Sequence, residues 1–134
     1  METLKSMKIS LQTILTSVAL TSLLAAVDAH ETHQPTGLIP PNSLWKYDDD
    51  GVLDMGWQMF DFDDSTWGES KAPLGYGEQY LNQTYLKSGQ VDYFLRRDFM
   101  VKDRTAVASL TLRVRYDDAF VLYLNGNELM RTHP

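Results

Sequence analysis

An Asn-Gly pair at Asn125-Gly126 is the sequence feature that most constrains the fold of this chain. An apolar run at residues 119–124 precedes the pair, and Leu129 follows it. A two-residue type I′ turn needs positive φ at both central positions, which Asn and Gly adopt more readily than other residues. The pattern therefore predicts a β-hairpin with Leu122 and Leu129 on one inward face. The expected cross-strand pairs are Leu124 with Asn127, Leu122 with Leu129, and Phe120 with Arg131.

Two further segments have the residue pattern of strands. Residues 92–101 have high β-propensity, and residues 108–116 alternate between apolar and polar side chains. The alternation puts Leu110, Leu112, Val114 and Tyr116 on one face and Thr111, Arg113 and Arg115 on the other. Beyond residue 29 no stretch has a convincing helical period, so the sequence predicts an all-β sandwich or barrel.

The charge balance bears on possible partners. Lys and Arg total 12 against 18 Asp and Glu, which gives a net charge of −6. An acidic chain without a basic cluster argues against nucleic acid as a partner. The chain has no cysteine, so a disulfide framework and a lipid-anchoring thiol are both excluded.

The first 29 residues have the composition of a secretory leader. Lys5 and Lys8 give a positive start, residues 9–26 are largely apolar, and Val27 and Ala29 suit a signal peptidase. Gln12 and several hydroxyl side chains make the run a poor membrane span, although a single anchor is the alternative. We expect cleavage after Ala29, a secreted extracellular or periplasmic protein, and no membrane attachment after cleavage.

Residues 30–43 read as a linker or N-terminal extension, with several prolines and two histidines, His30 and His33. No third ligand stands at metal-binding spacing, so we expect no metal site and no cofactor. Asp48-Asp49-Asp50-Gly51 is predicted to be a solvated turn, because the carboxylates do not have the spacing of a calcium loop. Asp64 and Ser65 are expected to cap a short helical turn, with Trp67 folding back as an apolar anchor.

Four motifs in a fixed order resemble a known family. They are Trp45-Lys46-Tyr47 with Asp50-Gly51; Phe62-Asp63-Asp64-Ser65-Thr66-Trp67 with Ala72-Pro73-Leu74-Gly75-Tyr76-Gly77; Tyr93-Phe94-Leu95-Arg96-Arg97-Asp98-Phe99; and Asp117-Asp118 leading to Tyr123-Leu124-Asn125-Gly126-Asn127-Glu128. Together they resemble the galactose-binding-like jelly-roll domain of secreted bacterial multidomain proteins. In that family the domain often precedes a metallophosphoesterase of the purple acid phosphatase type. The second motif is also similar to the sugar-binding domain of β-galactosidase-type glycoside hydrolases.

The resemblance implies a jelly-roll β-sandwich over residues 44–134 and a non-catalytic accessory or carbohydrate-binding module. Its alternative is a structural N-terminal domain of a secreted metallophosphoesterase whose catalytic domain lies beyond Pro134. Ala119 stands where the family usually has glycine. The family's sandwich also has further strands after the return strand of the hairpin, so we expect a truncated sandwich that is the N-terminal fragment of a larger protein. Downstream domains of the same polypeptide would be its neighbours.

The candidate ligand-binding residues are exposed aromatic and carboxylate side chains, which suit sugar stacking and hydroxyl recognition. They are Tyr76, Tyr80 and Tyr85 in loops and Asp117 and Asp118 at the expected strand end. The alternative for the two aspartates is a turn before the hairpin. Trp45, Trp57 and Trp67 are expected to be core anchors. Asn82-Gln83-Thr84 fits the glycosylation pattern at Asn82. No nucleophile elbow is present. We therefore expect no catalytic residue in this chain and glycans as its partner.

Overall fold

The computed structural model describes residues 5–26, 36–52, 54–77, 86–105 and 107–133, and within them it is all-β, with antiparallel pairing and no helix. The strands are β1 (Lys5–Ala26), β2 (Thr36–Ile39), β3 (Leu44–Asp48), β4 (Gly68–Lys71), β5 (Leu74–Gly75), β6 (Asp92–Val101), β7 (Ser109–Leu124) and β8 (Asn127–Arg131). The spatial order is β4-β3-β6-β1-β7-β8, and β2 and β5 pair with β1. The all-β prediction is confirmed, and the architecture is consistent with a β-sandwich.

The long strand β1 connects the parts of the sheet. Its first part, from Lys5 to Ile14, pairs with β6, and from Ile9 to Ala26 it pairs with β7 on its other edge. Further along, β5 and then β2 occupy the edge that β6 has left. Irregularities in the β7 register at Ile14/Ser17 and Leu20/Ser22 accompany this change of neighbours. Bulges of this kind bend a strand and increase its twist, which lets one strand pair with several others.

The predicted leader and linker therefore contribute strands to the sheet of the uncleaved chain. Lys5–Ala26 forms β1 and Thr36–Ile39 forms β2, whereas the sequence pattern places the sandwich in residues 44–134. The expected cleavage site at residues 27–29 and the histidines His30 and His33 lie outside the described residues. Cleavage and secretion stay predictions.

The hairpin prediction is confirmed at its turn and wrong in its outer register. Asn125 has φ 50° and Gly126 φ 85°, and Leu124 lies opposite Asn127 as expected. Beyond Tyr123 the register shifts, so that Leu122 lies opposite Met130 and not Leu129. Arg131 accordingly faces Val121 in place of Phe120. The extra residue in β8 is a β-bulge, and Leu129 is 58% exposed while Leu122 is buried.

Alternation along β7 follows the prediction. Leu110, Leu112 and Val114 are half-buried and pack against the main core, while the intervening polar residues are exposed. The main core is formed by buried apolar side chains from six strands and two connecting segments: Met7, Ile39, Trp45, Ala72, Leu74, Leu86, Tyr93, Leu95, Phe99, Val101, Phe120 and Leu122. Ala119 is fully buried within β7.

A second apolar cluster lies on the other face of β6. Trp57 stacks on Trp67 with ring centroids 6.4 Å apart and contacts Phe94 at 5.0 Å and Tyr123 at 5.5 Å. We call Trp57, Trp67 and Phe94 the tryptophan cluster. The prediction that Trp45, Trp57 and Trp67 are core anchors is confirmed, since all three are buried.

The acidic turn after β3 is also confirmed. The backbone N–H of Asp50 donates to Asp48 Oδ1 at 3.0 Å, and Gly51 has φ 72°. Lys87 forms ion pairs with Asp50 and, at 3.6 Å, with Asp49. Clusters of three or more His, Cys, Asp or Glu that could hold a metal ion are absent from the described part of the chain. That part also contains no helix able to span a membrane.

Candidate binding pocket

Successive side chains of β6 point to opposite faces of the sheet, and charged residues follow the apolar ones along the strand. Tyr93 and Leu95 point into the main core, whereas Phe94 belongs to the tryptophan cluster. Arg96 follows on the face of Phe94 and is fully buried. A buried guanidinium is stable only if its donors find acceptors, so its surroundings determine what this face can do.

Each nitrogen of Arg96 donates a hydrogen bond. Nε donates to Asp64 Oδ2 at 2.8 Å, Nη2 to the carbonyl oxygen of Met59 at 3.0 Å, and Nη1 to Ser10 Oγ at 3.4 Å. The guanidinium carbon also lies 5.0 Å from the centre of the Phe62 ring, a cation–π contact. Arg96 is therefore a structural residue that ties the turn before β4 to the sheet.

The carboxylate of Asp64 compensates two cations. Besides its contact with Arg96, Asp64 Oδ2 forms an ion pair with Lys8 Nζ at 3.3 Å. The same ammonium lies 3.3 Å from Asp98 Oδ1. Burial raises the pKa of Asp64, but the hydrogen bonds and charges of Arg96 and Lys8 together outweigh it and leave that pKa below its usual value.

The prediction that Asp64 caps a helical turn is wrong, because its side chain is engaged with these two cations. The neighbouring Asp63 supports the turn, accepting from the Ser65 N–H at 3.0 Å.

A pocket of about 270 Å³ opens over these groups, and we call it the charged pocket. It is lined by Leu44, Lys46, Asp64, Glu69, Arg96, Arg97 and Asp98. Three strands meet there, because Lys46 on β3 lies opposite Glu69 on β4 and opposite Arg96 on β6. Lys46 Nζ is 3.6 Å from Glu69 Oε2, and both side chains remain partly exposed. The pocket thus presents cations and carboxylates side by side.

Arg97 contributes a partly buried guanidinium to the charged pocket. Its Nη1 donates to the carbonyl oxygen of Leu44, while its buried Nε has no hydrogen-bond partner among the described residues. Burial lowers the pKa of Arg97, against the opposing influence of the Asp98 and Glu69 charges. A buried N–H without an acceptor costs free energy.

The chemistry of the charged pocket suits polyhydroxylated ligands. A sugar hydroxyl both donates and accepts, so it can bridge a guanidinium or ammonium donor and a carboxylate acceptor. Asp98 and Glu69 supply acceptors and Arg97 and Lys46 supply donors around one small volume. The volume is slightly below the range of about 300–1,000 Å³ typical of small-molecule sites, which favours a single sugar unit.

Of the predicted ligand-binding residues, the three that the structure describes, Tyr76, Asp117 and Asp118, do not line the charged pocket. Tyr76 is half-buried, with its ring 5.8 Å from that of Tyr93. Gly75 on β5 and Asp117 on β7 pair with Ser17 from opposite edges of β1. The backbones of Gly75 and Asp117 are therefore about two strand spacings, or about 10 Å, apart. Tyr76 and Asp117 are thus at the same level of the sheet.

Asp117 and Asp118 are exposed and joined by a cis peptide bond. The prediction that they end a strand or form a turn is wrong, because β7 continues through them to Leu124. Tyr80, Tyr85 and Asn82 lie outside the described residues. The ligand role of all five candidate residues stays a prediction.

A signal for the charged pocket is present in the sequence. Arg96-Arg97-Asp98 places three consecutive charges inside an apolar strand, and a strand turns successive side chains to opposite faces. At least one of these charges must therefore point toward a buried face and need a partner. The identity of the partners, Asp64 and Lys8, could not be inferred because they are distant in sequence.

A second cavity of about 390 Å³ is an apolar groove along β7 and β8. Its walls are mostly aliphatic. The hydroxyl group of Thr132, which follows β8, already forms hydrogen bonds with the backbone of Phe120. The groove is the exposed continuation of the main core.

Comparisons with protein-family models, with curated proteins and with solved structures found no match to this chain.

Proposed function

We propose that this chain is a secreted, non-catalytic accessory module of the galactose-binding-like jelly-roll type, and that it binds glycans in the charged pocket. The observation that carries the proposal is the lining of the charged pocket, where the donors of Lys46 and Arg97 stand beside the carboxylates of Glu69 and Asp98. The all-β antiparallel architecture and the four ordered motifs support the same class of module.

The electrostatics of the pocket favour neutral sugars over strongly anionic ones. Asp64, Glu69 and Asp98 face Lys46, Arg96 and Arg97, so the pocket has no large excess of either sign. A neutral hydroxylated ring can donate to the carboxylates and accept from the cations, whereas a sulfate or phosphate can only accept and would place its charge beside the carboxylates.

A glycan array probed with the full chain tests the proposal. We expect binding to a subset of neutral glycans, reduced at least tenfold in Arg97→Met, which keeps the side-chain length but removes the donors. Arg113→Met is the matched control, because Arg113 is an exposed arginine on β7 away from the pocket. A flat response across neutral and acidic sugars, or equal loss in both variants, would overturn the proposal.

A further inference from the structure

The central position of β1 is the feature of the fold that the proposed function does not use. Between Ile9 and Ile14 this strand has β6 on one edge and β7 on the other. Each of these residues therefore pairs with a residue of both neighbouring strands, for example Leu11 with Leu95 and with Leu122. Without β1, the facing edges of β6 and β7 would both lose their backbone partners.

Lys8 anchors β1 in this cleft by its side chain. It is 8% exposed, and its Nζ lies 3.3 Å from both Asp64 Oδ2 and Asp98 Oδ1. Two carboxylates from different segments thus converge on a single ammonium. They form a recognition point for a cation at one position of the strand, since an uncharged residue there would remove the counter-charge that both carboxylates share.

The hairpin turn holds the backbone of the same residue. The N–H of Lys8 donates to Asn125 Oδ1 at 2.9 Å, and the N–H of Asn125 donates to the carbonyl oxygen of Lys8 at 3.0 Å. Two residues on, Ser10 Oγ accepts from Arg96 Nη1 at 3.4 Å. These contacts set the register of the inserted strand, because a shift by one residue would break the reciprocal pair and turn the lysine to the opposite face.

We propose that the cleft between β6 and β7 is a strand-binding site, occupied by β1 in the uncleaved chain. In the processed chain it takes an extended, largely apolar segment of another polypeptide with a lysine at the position of Lys8. Residues 1–29 have the composition of a leader, and cleavage of this leader would break the covalent link between β1 and the rest of the chain. The cleaved β1 could then leave the cleft. Backbone hydrogen bonds to two strand edges provide affinity, and the Asp64–Asp98 pair provides specificity.

The sequence of β1, the strand that fills the cleft in this structure, indicates what kind of polypeptide segment the cleft would bind. Residues 5–26 combine aliphatic and small hydroxyl side chains with no proline or glycine, so they can extend continuously. Two open edges in a folded protein invite non-specific pairing and aggregation. A site that selects a lysine at one register position limits the cleft to matching segments.

The experiment uses the full chain with a protease recognition site placed within residues 30–35. After cleavage the protein is unfolded in urea with an excess of a fluorescent peptide of residues 5–26, refolded, and analysed by size-exclusion chromatography. We expect the label to co-elute with the protein. A peptide with Lys8→Glu should bind at least roughly tenfold more weakly, since a third carboxylate would face Asp64 and Asp98. A peptide with Lys5→Glu is the matched control, because it has the same net charge.

Two results would overturn the proposal. One is equal binding of the Lys8→Glu and Lys5→Glu peptides, and the other is refolding of the cut protein with an unchanged melting temperature and no bound strand. If the cut protein does not refold at all, the same pair of substitutions is compared in the uncut chain. There Lys8→Glu should lower the melting temperature by about 10 °C more than Lys5→Glu, and equal values would refute the anchor. None of these readouts depends on glycan binding.

Discussion

Replacing Asp64 with alanine removes the carboxylate between two buried cations. Asp64 Oδ2 is 2.8 Å from Arg96 Nε and 3.3 Å from Lys8 Nζ, and Arg96 is fully buried. At an effective dielectric constant of about 20, each pair of charges at this separation interacts by roughly 5 kcal/mol, which desolvation partly offsets. Breaking a buried ion pair costs about 3–5 kcal/mol, because an uncompensated charge stays behind. The Asp64 side chain is 19% exposed, so we expect the lower end, about 3 kcal/mol.

Urea and thermal unfolding followed by tryptophan fluorescence measure this loss. For a chain of this size about 3 kcal/mol corresponds to a fall in melting temperature of roughly 10 °C. Asp61→Ala is the control, because Asp61 is an exposed carboxylate in the same turn, and it should stay within about 0.5 kcal/mol of the parent protein. A loss below about 1 kcal/mol for Asp64→Ala would refute the reasoning.

The pH dependence gives an independent check. The pKa of Asp64 is lower in the folded chain than in the unfolded one, so its ionised form stabilises the fold above the unfolded value of about 4. That contribution is lost as the pH falls through the lower, folded value. The Asp64→Asn variant cannot titrate at this position. Its free energy of unfolding should therefore fall less between neutral and acidic pH than that of the parent protein. Parallel profiles for the two proteins would contradict this assignment.

Three further changes test the packing around the sheet. Gly68→Ala should lower the free energy of unfolding by about 1–3 kcal/mol in a urea titration, since a Cβ at this position would overlap the Tyr47 ring. Gly37→Ala is the control and should be nearly neutral, because a Cβ there has nothing within 4 Å. Trp57→Ala should cost about 3–5 kcal/mol by removing the centre of the tryptophan cluster, and a loss under 1 kcal/mol would contradict its burial. Burial raises the pKa of Tyr93 to about 12, so stability should fall from pH 10 to 12 as the unfolded chain ionises first, and Tyr93→Phe should lack this decline.

The local elements of this fold could be predicted because their signals lie within a few residues. Asn125 and Gly126 adopt the positive φ values that the pair predicts, and β7 alternates as its sequence indicates. The register beyond Tyr123 could not be predicted, because a bulge adds a residue without a local signature. In this case the contact between Phe120 and Thr132, the residue after β8, accompanies the shift, with hydrogen bonds of 2.8 and 2.9 Å between these two residues.

The charged pocket could be predicted only in part. Consecutive charges in β6 indicated that a buried face must carry a compensated cation, but its partners come from a turn and from the N-terminal strand. Charge compensation depends on distances between segments that are far apart in the chain. Position in a loop indicates exposure for Tyr76, which is half-buried, and Asp117 and Asp118, expected at a strand end, lie inside β7.

Sequence alone determined the all-β class, the hairpin turn and the tryptophan anchors, because turn chemistry, alternation and aromatic burial are properties of short segments. The tertiary structure decided the position of residues 5–26. A run of aliphatic and small hydroxyl side chains is compatible with a leader and with a central strand, since both environments favour apolar residues. The pairing with β6 and β7, and the two carboxylates that meet Lys8, give this segment its place in the sheet of the uncleaved chain, and those contacts exist only once the chain has folded.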